Sequence, residues 1–359
     1  MNNTSNIDKN RQLLAFFDEV YQAYQNAASS DCCSVDRYFS VGGYPIQLCF
    51  AGPALIQSIT PALIHLDAET DSEPALRICL WDSESTNVRM PSPPWKEEDY
   101  LARGMIRGFG DGRIQVAYHL GNFILSILDL ERSLGIFWIK DASKVMYGDR
   151  ASPLRAILHW WMRENGRQML HAAAIGTPEG GVLIPGKSGS GKSTVALACV
   201  LSGLQFLGDD HVLIDDANPP IAYSLYNSAK LHPDHLGAFP ELSSIMSNNS
   251  DTGAEKAVIH LYPQFPTRVC KQIEIKQILI PEITGSLTSE ICNSTVAESL
   301  RALAPSTLFQ LAGSHSGDFQ AIVEVVKKVP IYKLKLGTDL YQVPTLIEKS
   351  IANISIAPL

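Results

Sequence analysis

The chain lacks a positive balance: 29 lysines and arginines stand against 37 aspartates and glutamates, a formal net charge of −8. Nucleic-acid binding needs a basic footprint to neutralise phosphates, so no nucleic-acid partner is expected. No uncharged apolar run reaches the roughly 18 residues that a spanning helix needs, so no membrane partner is expected either. Residues 1–17 carry no basic-then-apolar leader. The seven cysteines are scattered, odd in number and without C-x-x-C spacing. That excludes a disulfide framework and a zinc site and fits a reducing cytoplasm. Internal repeats and long low-complexity tracts are absent. What remains is 359 residues with 45% hydrophobic and 18% charged content, enough for a sizeable core and two units.

The first unit is expected over residues 1–150, as an α+β domain for substrate recognition or an accessory role. Residues 10–28 read as an amphipathic helix, with Leu13, Leu14, Phe16, Phe17, Val20 and Tyr21 at helical spacing. Short apolar runs at 45–50, 75–81, 114–120, 122–129 and 135–139, separated by Gly, Pro, Ser and Asp, read as strands. The polar, proline-bearing stretch 82–99 reads as a loop. Pro153 opens a helix over 154–164 that bridges to the second unit, and its Trp160-Trp161 pair reads as inter-domain packing.

The second unit, 151–359, alternates strands and helices, which predicts an α/β layered core. Strands are expected at 169–175, 181–185, 205–208, 211–214, 221–225, 257–261, 273–281 and 330–336. Helices are expected at 193–202, 296–303, 319–326 and 343–352. The polar segment 248–255 reads as a surface loop or a lid.

Gly186-Lys187-Ser188-Gly189-Ser190-Gly191-Lys192-Ser193-Thr194 matches G-x-x-x-x-G-K-[ST] between an apolar strand and an apolar helix. The glycines permit backbone shapes closed to residues with a Cβ, so successive amides converge on one point. The following helix adds the positive end of its dipole. In such a loop Lys192 meets the β and γ phosphates of a nucleoside triphosphate and Ser193 completes a magnesium shell, so ATP and Mg²⁺ are the expected cofactors. After the next strand come Asp209-Asp210-His211. A crossover returns that strand end to the loop, where one carboxylate holds a metal and the other takes a hydroxyl proton. The sequence leaves open which does which. Asp215-Asp216, in a Pro/Asn-rich turn, reads as solvated.

Together, His171-Ala-Ala-Ala-Ile, the loop, Val195-Ala-Leu-Ala and Leu207-Gly-Asp209-Asp210 resemble the HPr kinase/phosphorylase superfamily. The resemblance runs over about 165–235. It implies a P-loop kinase core of the phosphoenolpyruvate carboxykinase-like type with a mixed sheet, Asp209 as proton acceptor, Asp210 near magnesium with Ser193, and His171 beside the acidic pair. Alone, His171 reads as a core residue. The region after the pair, Ser224-Leu-Tyr-Asn227-Ser-Ala-Lys230, departs from the HPr kinase itself. It is closer to kinases of the C-terminal serine of lasso-peptide precursors. Lys230 and Lys256 then supply charge for the phosphates or the acceptor. The expected activity is transfer of the γ-phosphoryl group of ATP to a serine hydroxyl of a peptide or protein substrate. Small-molecule hydroxyl kinase, HPr-type protein kinase and non-catalytic nucleotide sensor are the alternatives. Members of the superfamily include oligomers, so a homo-oligomer is among the expectations.

Overall fold

The structure, a computed structural model, describes residues 2–29, 34–69, 73–110, 112–246 and 256–356. The segment 248–255, with Cys32 and Cys33, lies outside the described residues. Two compact units form: Met1–Pro61, Leu66–Asn165 and Leu311–Ser314 make the first, and Ala62–His65, Gly166–Gln310 and His315–Leu359 the second. The helix Arg155–Glu164 therefore belongs with the first unit, beyond the boundary expected at 150. Among the described residues no helix is long and apolar enough to cross a membrane.

The first unit is built on six strands, β1 (Val35–Val41), β2 (Tyr44–Phe50), β3 (Leu76–Asp82), β4 (Ile114–His119), β5 (Ile124–Asp129) and β6 (Leu134–Ile139). They pair in the order β1-β2-β3-β6-β5-β4, with β2-β3-β6 parallel. The apolar runs are continuous because both faces are covered. The helix Asn2–Ser29 presents Leu13, Phe16, Phe17 and Val20 to the face bearing Trp81 and Trp138. On the opposite face Gly135 leaves room for Ile157: a Cβ there would stand 2.8 Å from its Cγ2. Trp160 and Trp161, expected between domains, instead bond within this unit, to Ala312 O (2.8 Å) and Ser133 Oγ (3.2 Å).

The second unit carries eleven more strands in chain order: β7 (Gln168–Leu170), β8 (Ala172–Thr177), β9 (Gly180–Pro185), β10 (Gln205–Gly208), β11 (Val212–Ile214), β12 (Ile221–Ser224), β13 (Ser228–Leu231), β14 (Ala257–His260), β15 (Gln272–Ile283), β16 (Glu290–Asn293) and β17 (Ile331–Leu336). Nine of them form one mixed sheet, β10-β8-β9-β15-β12-β11-β7, with β17 beside β15 and β16 beside β17. The trio β9-β15-β17 is parallel and the other pairs are antiparallel. Alternation along β8 and β9 divides the core: Ala173, Ile175, Val182 and Ile184 pack with the helices Lys192–Leu201 and Gln342–Ile356. Ala172, Ala174 and Leu183 pack with Val296–Leu308 and Ser316–Lys327. The result is a mixed α/β layered unit. Asp215, expected to be solvated, is buried and structural, accepting from the Ile221 amide (2.9 Å) and the Tyr223 hydroxyl (3.0 Å).

In the first unit, buried Asp129 accepts both prongs of Arg113 (2.7 and 2.9 Å) and the amides of Glu131 and Arg132. Burial alone would raise its pKa, but these partners hold it below the ordinary carboxylate range. Its stabilisation is therefore complete above the unfolded-chain value and disappears as pH falls through the folded one. Asp129→Asn is expected to cost roughly 2–3 kcal/mol at neutral pH, the usual range for hydrogen bonds to a charged group. Urea unfolding at pH 7 and pH 3 tests this, with a smaller difference between wild type and variant at the lower pH.

Candidate functional site

The glycine-rich segment leaves β9 and enters the helix Lys192–Leu201. Gly189 and Gly191 have φ of 81° and 99°, a region that residues with a Cβ rarely adopt. At Gly186 a Cβ would lie 2.4 Å from Ser190 Oγ, so the turn closes tightly on itself. Lys192 is 5% exposed, and its ammonium donates to the carbonyls of Gly186 (2.6 Å) and Lys187 (3.1 Å). Burial lowers the Lys192 pKa while Asp209 and Asp210 act against that shift.

The acidic pair sits where a strand pair opens. β10 and β8 are in register at Gly208↔Ala174, and β11 and β7 at Val212↔Leu170. The register is continuous from Gly208↔Ala174 to Val212↔Leu170, after a shift between Phe206 and Gly208, so 208–214 and 168–174 run as one antiparallel pair interrupted at Asp209–His211 and His171. The strand expected over 169–175 is thus two strands. The amide of His171 leaves the ladder and donates to Thr307 Oγ1 (3.0 Å). In the sheet path β10 is one end and β7 the other, so both ends meet at these residues. His171 Nε2 lies 3.7 Å from Asp210 Oδ1, and the His171 and His211 ring centroids are 5.5 Å apart.

The two neighbours have opposite environments. Asp209 is 1% exposed; its Oδ2 accepts the Lys230 amide (3.1 Å), and its buried Oδ1 has no hydrogen bond of standard geometry. Burial pushes its pKa up to about 6 and the Asp210 charge adds to this, while the Ser193 hydroxyl, the Lys230 amide and Lys192 oppose it. For Asp210 burial again favours the neutral acid, but the Lys230 ammonium paired with Oδ2, with His171 beside Oδ1, holds it ionised well below the ordinary range. Burial lowers the His171 pKa, with Asp210 opposing.

β13 carries Lys230 and pairs with β14, directly after Lys256. Lys256 donates to Ser188 Oγ at 3.3 Å. A cleft of about 400 Å³ opens between these groups. One side is Ser188, Gly189 and Gly191 of the loop with Lys192, Ser193 and Thr194 of the helix start; Asp210, His171, Lys230 and Lys256 complete it. Gly186, Lys187 and Ser190 line a second cavity on the other side of the loop, shared at Ser188. Asp209 is in the lining of neither.

Several participants carried no local signal. Gln310, after the helix Val296–Leu308, lines both cavities, its Nε2 3.4 Å from His171 Nε2. His65, whose pKa burial lowers to about 3, is neutral: Nε2 donates to Ser224 Oγ (2.7 Å), which donates to Leu207 O (2.6 Å) just ahead of the acidic pair. A strand-end Ser and a distant His reveal such a bond only after folding.

No cluster of three or more His, Cys, Asp or Glu side chains placed for a metal occurs among the described residues. The Ser193 hydroxyl and the orphaned Asp209 Oδ1 are hard oxygen donors. They suit magnesium, which takes one or two protein oxygens and completes its shell with water and phosphate.

No protein-family model and no curated protein matches the sequence. Among solved structures, the HPr(Ser) kinase/phosphatase from Coxiella burnetii is similar over 53% of this chain and 97% of its own, with 15% identity and a TM-score of 0.31.

Lys192 ties the loop to the helix start. Lys192→Met is expected to speed hydrogen exchange at the 187–191 amides by at least about tenfold through loss of its two hydrogen bonds from a charged donor, while β8 and β9 keep their protection. Mass-spectrometric exchange resolves the two regions, and unchanged loop rates would contradict it.

Proposed function

We propose that the chain is an ATP-dependent kinase that transfers the γ-phosphoryl group to a serine hydroxyl. The observation that carries this reading is the opened strand pair, which sets an ionised carboxylate, Asp210, in the same cleft as the glycine-rich loop and Lys192. Loop amides and the Lys192, Lys230 and Lys256 ammoniums meet the triphosphate, whose charge an acidic protein must offset locally. Ser193 and Asp209 would hold magnesium, which when bound supplies further charge compensation.

Asp210 receives the proton of the attacking hydroxyl, and His171 positions Asp210. This division reverses the one implied by the sequence resemblance. Supporting it are the burial of Asp209 outside the cleft lining, its orphaned oxygen and the Ser193 hydroxyl beside it. A strongly acidic Asp210 is a weak base, but phosphoryl transfer passes through a loose transition state in which positioning and charge dominate. The finer substrate, the C-terminal serine of a lasso-peptide precursor, follows from the sequence resemblance; a free hydroxy amino acid satisfies the same chemistry.

Radiolabelled ATP with serine peptides tests the reading. Asp210→Asn is expected to retain magnesium-dependent ATP binding and to lose transfer by about 10²-fold or more. Asp209→Asn is expected to raise the magnesium concentration needed for half-maximal rate. Undiminished transfer in Asp210→Asn would overturn the assignment of the base, and ATP binding without transfer to any hydroxyl would favour a nucleotide sensor.

A further inference from the structure

A second cavity adjoins the cleft assigned to the triphosphate. It measures about 510 Å³ and lies against the outer side of the loop, between Gly186–Ser190 and the end of the helix Val296–Leu308. That volume suits a small organic ligand or a few residues of a peptide. Pro281, Pro305 and Phe309 give it an apolar wall, and Phe309 is 65% exposed, unusual for a large aromatic side chain. Arg301 and Lys187 put positive charge on an otherwise acidic molecule, and Arg301 is in no ion pair among the described residues. The cavity therefore combines an apolar face and a guanidinium fork, which together match a carboxylate next to an apolar group.

Its position gives that chemistry a purpose. The two cavities share Ser188 and Gln310. From Gln310 a polar path runs through His171 (3.4 Å) to Asp210 (3.7 Å). In-line transfer requires attacking and leaving oxygens on opposite sides of the phosphorus. The shared residues put the second cavity next to the one that Asp210 lines.

We propose that the second cavity is the acceptor subsite and that it selects a hydroxyl compound bearing a carboxylate, held by Arg301, with an apolar portion against Phe309. This rests on the kinase reading. The acceptor oxygen bonds to the γ-phosphorus, the bond from phosphorus to the β,γ-bridging oxygen breaks with its electron pair leaving on ADP, and the hydroxyl proton passes to Asp210.

Binding separates this subsite from the chemistry. The full chain, saturated with a non-hydrolysable ATP analogue and magnesium, is titrated calorimetrically with N-acetyl-leucyl-serine, with its C-terminal amide, and with free L-serine. The carboxylate dipeptide is expected to bind about tenfold more tightly than the amide, the usual effect of one charge-assisted pair. Arg301→Gln is expected to bring that ratio below about twofold, and Phe309→Ala to weaken both dipeptides alike. L-Serine binding as tightly as the dipeptide indicates a small-molecule acceptor, and weaker binding indicates a peptide; the subsite stands in both cases. A carboxylate preference that survives Arg301→Gln, or no binding by any probe, overturns the proposal. Neither result depends on turnover, so failure of the kinase reading shows separately, as absent transfer in the wild type.

Discussion

Adjacent carboxylates beside one buried and one half-buried lysine set the constraint on which the second unit depends. Two like charges about 4 Å apart repel by about 4 kcal/mol at the effective dielectric of such sites. Asp209 and Asp210 resolve this unequally. Lys230 bonds one with its ammonium and the other with its amide, so Asp210 stays charged while Asp209 is driven toward the neutral acid. Lys192 is similarly suspended, its charge opposed by burial and supported by the same pair. In the function proposed, the ligand brings both negative phosphate and a cation to this site.

The fold makes such a balance rigid. Asp209–His211 interrupt a strand pair whose register is retained on both sides, so the opening is fixed by the ladders that flank it. His65 and Ser224 anchor the carbonyl of Leu207, one step before Gly208 and the pair. The loop is set on β9, which is sandwiched between β8 and the long β15 with helices on both faces. Lysines from β13 and from the start of β14 close the site from outside that sheet.

Much of this was legible in the sequence because its cause is local. Glycine spacing with Lys192 and Ser193 at a helix start is readable as a motif, and apolar runs with turn punctuation located most strands to within a residue or two. What was hidden depends on distant partners. The stretch around His171 is mostly apolar, and its division into β7 and β8 coincides with the Thr307 bond and the nearby Asp210. β13 was missed because Ser228-Ala-Lys230-Leu has no strand alternation of its own and is ordered by pairing with β14. The unequal environments of Asp209 and Asp210 arise from Lys230, twenty positions downstream of Asp210, and Gln310 reaches the site from the end of a helix with no motif.

The central claim is that this charge arrangement grips a magnesium–triphosphate. Isothermal titration of the full chain with ATP, in the presence of magnesium and again with the metal chelated, tests it most directly. Saturable one-to-one binding that weakens strongly without magnesium and weakens again when AMP replaces ATP is the expected result. No heat with any adenine nucleotide, or equal affinity for ATP and AMP, would contradict it.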